Sequence, residues 1–278
     1  MISGINNINS DCDTLKLTGV LRCYQSLADE CGKLNASYSE YLEQVLKYEL
    51  MFRETRTREI LLKLAGFPVL KTLEQFDFKC SNVNKMQVQE LANLQFIANK
   101  ENVIFIGSPG TGKTHLATAI AHLATTQRIK VKFLTAADLF LQLEAAASQN
   151  KLSKYLSTVL GTASLLVIDE FGYLKLTESQ ANLLFQVVNK RYETGSIMIT
   201  SNLTFSQWQG VLNNDEALTS AIMDRLIHHS HIININGDSY RLKQKQKAGA
   251  MPLTKQHAQQ PQMPHEHDVE NCTTNMGK

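Results

Sequence analysis

Residues 102–122 constrain the fold of this chain more than any other segment. An apolar run, Asn-Val-Ile-Phe-Ile, ends at residue 106, and an alanine-rich helical pattern begins at residue 113. Between them, Gly-Ser-Pro-Gly-Thr-Gly-Lys-Thr matches G-x-x-x-x-G-K-T at every defined position. Glycines let backbone amides curl around phosphate oxygens, and the N-terminus of the helix adds partial positive charge. The segment therefore predicts a strand, a phosphate-binding loop and a helix.

Two side chains of this loop predict how it would hold a nucleotide. Lys113 can reach the β- and γ-phosphates of ATP, and the hydroxyl of Thr114 can ligate Mg²⁺. A chance glycine turn before a helix is the alternative, which the strand and the helix around the loop disfavour. The residues predicted to contact the nucleotide are Gly107, Ser108, Pro109, Gly110, Thr111, Gly112, Lys113, Thr114 and His115.

The composition excludes several classes of protein. The chain has 278 residues, of which 43% are apolar and 19% charged, as in an ordinary globular protein of one or two domains. Its net charge of +2 is too small to indicate nucleic-acid binding by itself. Five cysteines without a C-x-x-C pair disfavour both a disulfide framework and a zinc site. No apolar run approaches the length of a membrane span and no signal peptide is visible, so we expect a cytoplasmic protein without a membrane partner.

Changes in pattern along the chain predict four segments. Residues 1–13 are polar and without a period, and we expect them to be disordered. Residues 14–66 have helical periodicity and predict a small all-α domain, whose alternating charges fit either a solvated face or a partner-docking surface. Residues 67–242 form the predicted nucleotide-binding domain. Residues 243–278, rich in Lys, Gln, His and Pro, predict a disordered tail.

Strand and helix patterns alternate within the nucleotide-binding domain. The predicted strands are residues 103–106, 130–134, 165–168, 197–200 and 231–235. Helical patterns cover residues 87–99, 136–147, 178–194 and 217–223. This alternation favours an α/β fold with a parallel sheet covered by helices. The aromatic residues Phe76 and Phe78, ahead of the first strand, either cover an adenine or pack the linker against the domain.

An acidic pair, Asp169 and Glu170, stands directly after the third predicted strand. Open α/β sheets bind ligands at the carboxyl ends of their strands, so we expect this pair beside the phosphate-binding loop. Asp169 would then hold Mg²⁺, and Glu170 would orient and polarise the attacking water. A lone acidic pair is weak evidence, but its place one strand–helix unit after the loop's own unit makes it more specific.

Three further residues are candidates for contact with the γ-phosphate. Asn202 follows the fourth strand and could help to hold the attacking water, although a turn or a helix cap is the alternative. Arg225 follows a helical pattern and could meet the charge of the transition state, or could pair with Asp224 at the surface. Arg241, after the fifth strand, raises the same question.

Taken together, these motifs resemble the IstB-like ATP-binding protein family, the AAA+ ATPase helpers of IS21-type insertion sequences and relatives of the DnaC helicase loader. The similarity runs from about residue 15 to residue 242. The segments that carry it are residues 67–78, 107–115, 135–139, 166–174, 200–202, 224–229 and 237–242.

The resemblance implies an AAA+ fold with a five-stranded parallel sheet in the order 5-1-4-3-2. It implies that residues 107–114 are the Walker A loop, that Asp169 and Glu170 are the Walker B pair, and that Asn202 is sensor 1. Arg225 would be the arginine finger that acts on the ATP of a neighbouring subunit, and Arg241 would be sensor 2. ATP would therefore lie between subunits of a homo-oligomer.

The family also implies assembly on double-stranded DNA, selection of target DNA and recruitment of a partner transposase. Residues 137–160 are where this clade places DNA-facing helices, so Lys151 and Lys154 are candidate contacts, with Lys130 and Lys132 nearby; ordinary solvated lysines are the alternative. A DnaC-like replicative helicase loader and a nucleotide switch that barely hydrolyses ATP are alternative functions. A small-molecule kinase is disfavoured because a strand separates the two nucleotide motifs.

Overall fold

A five-stranded parallel sheet forms the centre of the protein in the computed structural model, which describes residues 2–78, 81–237 and 239–240. Its order is β2–β3–β4–β1–β5, which confirms the predicted order 5-1-4-3-2 read from the other edge. The strands are β1 (Asn102–Ile106), β2 (Val131–Thr135), β3 (Leu165–Phe171), β4 (Ser196–Ser201) and β5 (Ser230–Asn234). Every residue of β1 and β4 is buried, as expected for central strands covered on both faces.

Two cores, one on each face of the sheet, follow from the alternation of side chains along the strands. Val103 and Phe105 pack with α6 (Lys113–Thr126), whereas Ile104 and Ile106 belong to the opposite core. The helices that contribute to this opposite core include α7 (Ala136–Ser148), α9 (Glu178–Arg191), α10 (Phe205–Val211) and α11 (Glu216–Ile227). The alternating strand–helix pattern thus gave the correct layers.

The third strand differs from its prediction in a way that shapes the site. We expected Asp169 and Glu170 just beyond the strand, but β3 continues to Phe171 and includes both. Its pairing with β4 passes from Ile168 opposite Ile199 to Phe171 opposite Ser201, so two residues of β3 face one residue of β4. This is a β-bulge, and it occurs where the strand enters the predicted ligand edge.

The helix predicted over residues 87–99 is interrupted. The chain forms α4 (Lys85–Ala92) and α5 (Gln95–Ala98), separated by Leu94 in the left-handed conformation with φ of 59°. The turn lets Leu91, Leu94 and Phe96 all pack into the core beside α6. Tertiary packing therefore overrides the continuous helical periodicity of the sequence.

Residues after α7 form a short helix and a wide turn. Helix α8 (Leu152–Tyr155) continues into a π-helical turn, Leu156–Leu160. Buried Arg191 ties this turn to the sheet by donating to the carbonyls of Leu160, Ala163, Ser164 and Ser196. Burial lowers the pKa of Arg191 to about 10, so its guanidinium stays charged at neutral pH.

Three helices precede the nucleotide-binding domain: α1 (Ile2–Thr14), α2 (Thr18–Lys33) and α3 (Tyr38–Ala65). The prediction that residues 1–13 are disordered was wrong, because α1 covers them from Ile2 onward. Cys12 on α1 packs against Val20 and Val45, and the Tyr24 hydroxyl donates to Asn9 Oδ1 at 3.0 Å. Few apolar residues make these contacts, so the sequence of α1 has no clear helical period.

The bounds of α3 follow from its caps. Ser37 and Glu40 form a capping box at its start, and Gly66 closes it in the left-handed conformation with φ of 79°. At its C-terminal end Ala65 is buried in the core beside α6, and Glu54 pairs with Arg128 at 3.2 Å. The helix therefore connects the N-terminal helices directly to the nucleotide-binding domain.

None of the helices in the described part of the chain is long and apolar enough to cross a membrane. The predicted tail, residues 243–278, lies outside the described residues.

Buried Glu49 on α3 joins the N-terminal helices. Its carboxylate accepts from the Val20 amide at 3.0 Å, in the first turn of α2, and from Arg53 Nε at 2.6 Å. No side chain at Leu17 caps α2, so Glu49 supplies the missing acceptor from a neighbouring helix. Burial raises the pKa of Glu49, but hydrogen bonds from Arg53, Val20 and Gly19 outweigh burial and lower the pKa below its ordinary value.

We predict that Glu49→Gln destabilises the packing of α2 on α3 by about 1–3 kcal/mol, because an amide replaces a charged acceptor. Hydrogen exchange of the amides at residues 18–21 in the full chain would measure the effect. Because the folded pKa is lowered, the carboxylate's contribution is present above its unfolded pKa and is lost as pH falls through the folded pKa. The difference between parent and variant should therefore shrink in acid.

Glu43→Gln is the matched control, because Glu43 lies on the same helix and forms an exposed pair with Lys47 at 2.6 Å. Exposed pairs contribute about 0–1 kcal/mol, so exchange at residues 18–21 should hardly change. Equal effects of the two substitutions would contradict the role assigned to Glu49.

Candidate nucleotide-binding site

The phosphate-binding loop joins the end of β1 to the start of α6. Gly110 and Gly112 have φ of 81° and 101°, which a side chain would strain. A Cβ at Gly110 would collide with Ser239 Oγ, and one at Gly112 would lie 2.6 Å from Phe76 Cε2. Gly112 is the N-cap of α6 and provides no side-chain cap, and the N-terminus of a helix attracts anions.

Lys113 folds back over this loop. Its Nζ donates to the carbonyls of Gly107 at 2.7 Å and Ser108 at 2.8 Å, and the side chain is buried. These carbonyls hold the ammonium group at the loop, where a nucleotide's phosphates would lie. Lys113 therefore lies at the phosphate-binding loop, where the motif predicts it.

The carboxylate of Asp169 connects three elements at one oxygen. Its Oδ1 accepts from Thr114 Oγ1 at 2.9 Å, on the first turn of α6, and from Thr200 Oγ1 at 2.5 Å, on β4. Asp169 is only 3% exposed. Hydroxyl and carboxylate oxygens are the ligands that Mg²⁺ prefers, so Thr114 and Asp169 fit the metal predicted for this site.

Glu170 leaves the strand in a different direction from Asp169. Its φ is 61°, in the left-handed region that residues other than glycine rarely adopt, and its side chain is exposed and lines the cleft above the loop. The bulge thus buries one carboxylate and presents its neighbour to a ligand. The sequence motif did not predict that Asp169 is buried whereas Glu170 is exposed.

Asn202 follows β4 and lines the same cleft. Its Oδ1 is buried, and none of the described residues gives it a hydrogen bond. A buried acceptor without a partner costs free energy, which is typical of a group that pairs with a ligand. This observation favours the site role of Asn202 over a turn or a helix cap.

The linker before β1 forms another wall of the cleft, which has a volume of about 600 Å³. Phe76 stacks edge-on against His115, with ring centroids 5.4 Å apart, and His115 Nε2 lies 2.9 Å from the Thr72 carbonyl oxygen. Phe76 therefore packs the linker against the domain and also lines the cleft; contact with an adenine stays a prediction. Tyr240, which follows β5, also lines the cleft, and its amide donates to the Gly110 carbonyl of the loop at 3.0 Å.

Arg225 lies in the last turn of α11 and does not line this cleft. Its guanidinium stacks over Phe185 at 5.0 Å and donates to Asn189 Oδ1 and the Ala221 carbonyl. The site of a single chain thus brings together Lys113, Thr114, Asp169, Glu170 and Asn202 but leaves Arg225 apart. Arg241 lies outside the described residues.

Thr200 and Tyr240 are residues of the site that sequence reasoning missed. Thr200 belongs to an apolar strand, where a threonine normally indicates only β-propensity. Its place two residues before Asn202, on the strand adjacent to the acidic strand, was the available signal. Tyr240 lies within residues 237–242, which carry part of the family resemblance, but its place at the site depends on how the chain turns after β5.

Comparison with known proteins identifies the family. The family model described as IstB-like ATP binding protein matches residues 10–248. The chain belongs to this family. It is 41% identical to the ATP-binding protein named for insertion sequence IS5376 of Geobacillus stearothermophilus, over 86% of this chain and 94% of the relative. It is 42% identical to that of insertion sequence IS21 of Pseudomonas aeruginosa, over 85% and 89%.

Solved structures agree with the AAA+ fold. DnaI matches with a TM-score of 0.51 at 19% identity, over 62% of this chain and 93% of DnaI. AMPPCP-bound DnaA from Aquifex aeolicus matches with a TM-score of 0.51 at 23% identity, over 66% of this chain and 56% of DnaA. At these identities the likeness concerns the fold alone. Fold and family together make this chain an ATP-binding AAA+ protein.

We predict that Lys113→Ala abolishes measurable ATP binding while the protein stays folded, because the loop keeps its glycines but loses the cation that meets the phosphates. Calorimetric titration with ATP and a thermal melt would test both parts. Lys100→Ala is the control, since exposed Lys100 donates to the Thr194 carbonyl far from the loop, and it should bind ATP as the parent does. Retained ATP affinity in Lys113→Ala would contradict the site.

Proposed function

We propose that this chain is a DNA-acting ATPase that assists transposition of an insertion sequence. It would bind ATP with Mg²⁺, assemble on double-stranded DNA, select target DNA and recruit the transposase encoded by the same element. The names of its relatives at 41% and 42% identity support the link to insertion sequences. The observation that carries the enzymatic part is the cleft that Lys113, Glu170 and Asn202 share.

Hydrolysis requires a water in line with the bond between the γ-phosphorus and the bridging oxygen. Glu170, exposed in the cleft, would orient this water and accept its proton as the bond to phosphorus forms. The unpartnered Oδ1 of Asn202 would accept the water's other hydrogen, and Lys113 would offset the charge on the γ-phosphate. Bound Mg²⁺ would supply further positive charge at the phosphates. ADP and phosphate are the products.

Arg225 supports a site shared between subunits. Because its guanidinium lies away from its own chain's cleft, it cannot meet the γ-phosphate bound there without moving. Stacking on Phe185 and the hydrogen bond to Asn189 hold it on the surface in a defined position. We propose that it reaches the ATP of a neighbouring copy, so that hydrolysis depends on a head-to-tail homo-oligomer.

Contact with DNA is proposed for the α8 side of the domain. Lys151 and Lys154 are exposed at the start and the middle of this short helix segment, and Lys130 is exposed just before β2. Lys132 is half-buried on β2, which makes it a weaker candidate. Lysines that contact phosphates contribute to affinity uniformly across DNA sequences, and their removal lowers the salt dependence of binding.

Mixing two inactive variants tests the shared site. Glu170→Gln removes the base and Arg225→Ala removes the trans-acting charge, so each alone should hydrolyse ATP at least about 100-fold more slowly. In a random mixture on duplex DNA, an Arg225→Ala chain can provide Glu170 while its neighbour provides Arg225. Such a head-to-tail interface should then restore roughly a quarter of the parental rate.

The control is a chain that carries both substitutions. It should be inactive alone, and it should restore no activity when mixed with either single variant, because no interface then has both Glu170 and Arg225. Turnover measured as phosphate release would report all cases. Full activity of Arg225→Ala alone, or no recovery in the mixture although both variants assemble, would contradict the shared site.

A further inference from the structure

The hydroxyl of Thr200 lies at the junction of the two acidic residues. It donates to Asp169 Oδ1 at 2.5 Å and accepts from the Glu170 amide at 3.0 Å. Thr200 is 1% exposed, so water cannot substitute easily for either partner. One hydroxyl therefore orients the buried carboxylate and also holds the backbone that carries the exposed one.

The bulge explains why the backbone at Glu170 needs such a hydrogen bond. Between Ile168 and Phe171, the β3 chain has two residues where β4 has only Thr200, so the regular ladder is interrupted. Glu170 also has φ of 61°, a conformation that costs a residue other than glycine roughly 1–2 kcal/mol. A hydroxyl on the facing strand replaces the missing ladder acceptor and stabilises this turn.

We propose that Thr200 is a positioning residue for ATP hydrolysis. It keeps Asp169 directed at Thr114, where Mg²⁺ would be held, and keeps Glu170 turned into the cleft. The part of this proposal that concerns turnover rests on the proposed ATPase function; the part that concerns Mg²⁺-dependent binding rests on the Thr114–Asp169 contact alone. Thr200 has no direct part in the reaction, and it acts only through the positions of Asp169 and Glu170.

A purely structural threonine would behave differently. Valine has nearly the same shape, so Thr200→Val keeps the packing between β3 and β4. It leaves the Glu170 amide without its acceptor and leaves Asp169 Oδ1 with the hydrogen bond from Thr114 alone. If the hydroxyl only stabilised the fold, its loss would lower the melting temperature without changing how Mg²⁺ affects ATP binding. If it positions the acidic pair, that effect of Mg²⁺ must change.

The experiment compares Thr200→Val, Thr200→Ser and the parent as full chains. Calorimetry measures ATP affinity in EDTA and in excess Mg²⁺, and phosphate release on duplex DNA gives kcat and KM. Thr125→Val is the matched control: Thr125 is also 1% exposed, but its hydroxyl donates to the His122 carbonyl within α6. All variants are also melted, so that losses of stability are separated from losses of function.

For Thr200→Val we expect ATP affinity in EDTA within about twofold of the parent, because the phosphate-binding loop is untouched. The gain in affinity from Mg²⁺ should fall about 10-fold or more, so KM for ATP in Mg²⁺ should rise. The value of kcat should also fall about 10–100-fold, because Glu170 is no longer held in the cleft. Thr200→Ser should recover most of both effects, and Thr125→Val should show neither.

Parental kcat and a parental response to Mg²⁺ in Thr200→Val would overturn the proposal. So would a loss that Thr200→Ser does not recover or that Thr125→Val reproduces. If the parent itself released no phosphate on DNA, the proposed ATPase function would fail. The response of ATP binding to Mg²⁺ would still decide the role of Thr200.

Discussion

The hydrogen bonds at Asp169 Oδ1 are the contacts on which the site depends. They join the first turn of α6, the end of β3 and the end of β4 at a single buried atom. The strand order makes this possible, since β4 lies between β1, which leads into the phosphate-binding loop, and β3, which carries the acidic pair. A change in any of the three elements moves the carboxylate, so the fold and the nucleotide site are specified together.

Much of this arrangement could be predicted from the sequence. The apolar runs gave the strands because a parallel strand covered on both faces has no polar side to obscure its pattern. The caps of α3 are also local, since Ser37, Glu40 and Gly66 act on the ends of their own helix. The glycines and Lys113 of the loop carry their chemistry in a fixed local order. These features depend on neighbours in the chain.

Features that depend on distant contacts could not be predicted. The residues next to Glu170 in the sequence do not predict its left-handed backbone conformation, because Thr200 on another strand stabilises the bulge. Leu94 interrupts a good helical pattern to reach the core beside α6, and α1 is held through Cys12 and Asn9 by residues of α2 and α3. In each case tertiary packing decides between local conformations that the sequence leaves close in energy.

The cleft of one chain contains the groups that we propose hold phosphate, metal and water, whereas Arg225 does not line it. Under this proposal, ATP bound by one copy is hydrolysed only when Arg225 of a neighbouring copy contacts it, so hydrolysis depends on assembly. The direct test measures ATP bound and phosphate released per chain as protein concentration rises, with sedimentation giving the fraction assembled on duplex DNA. The account predicts that dilute monomers bind ATP but hydrolyse it slowly, and that turnover per chain rises with the assembled fraction. Monomers that hydrolyse ATP as fast as the assembly would contradict it.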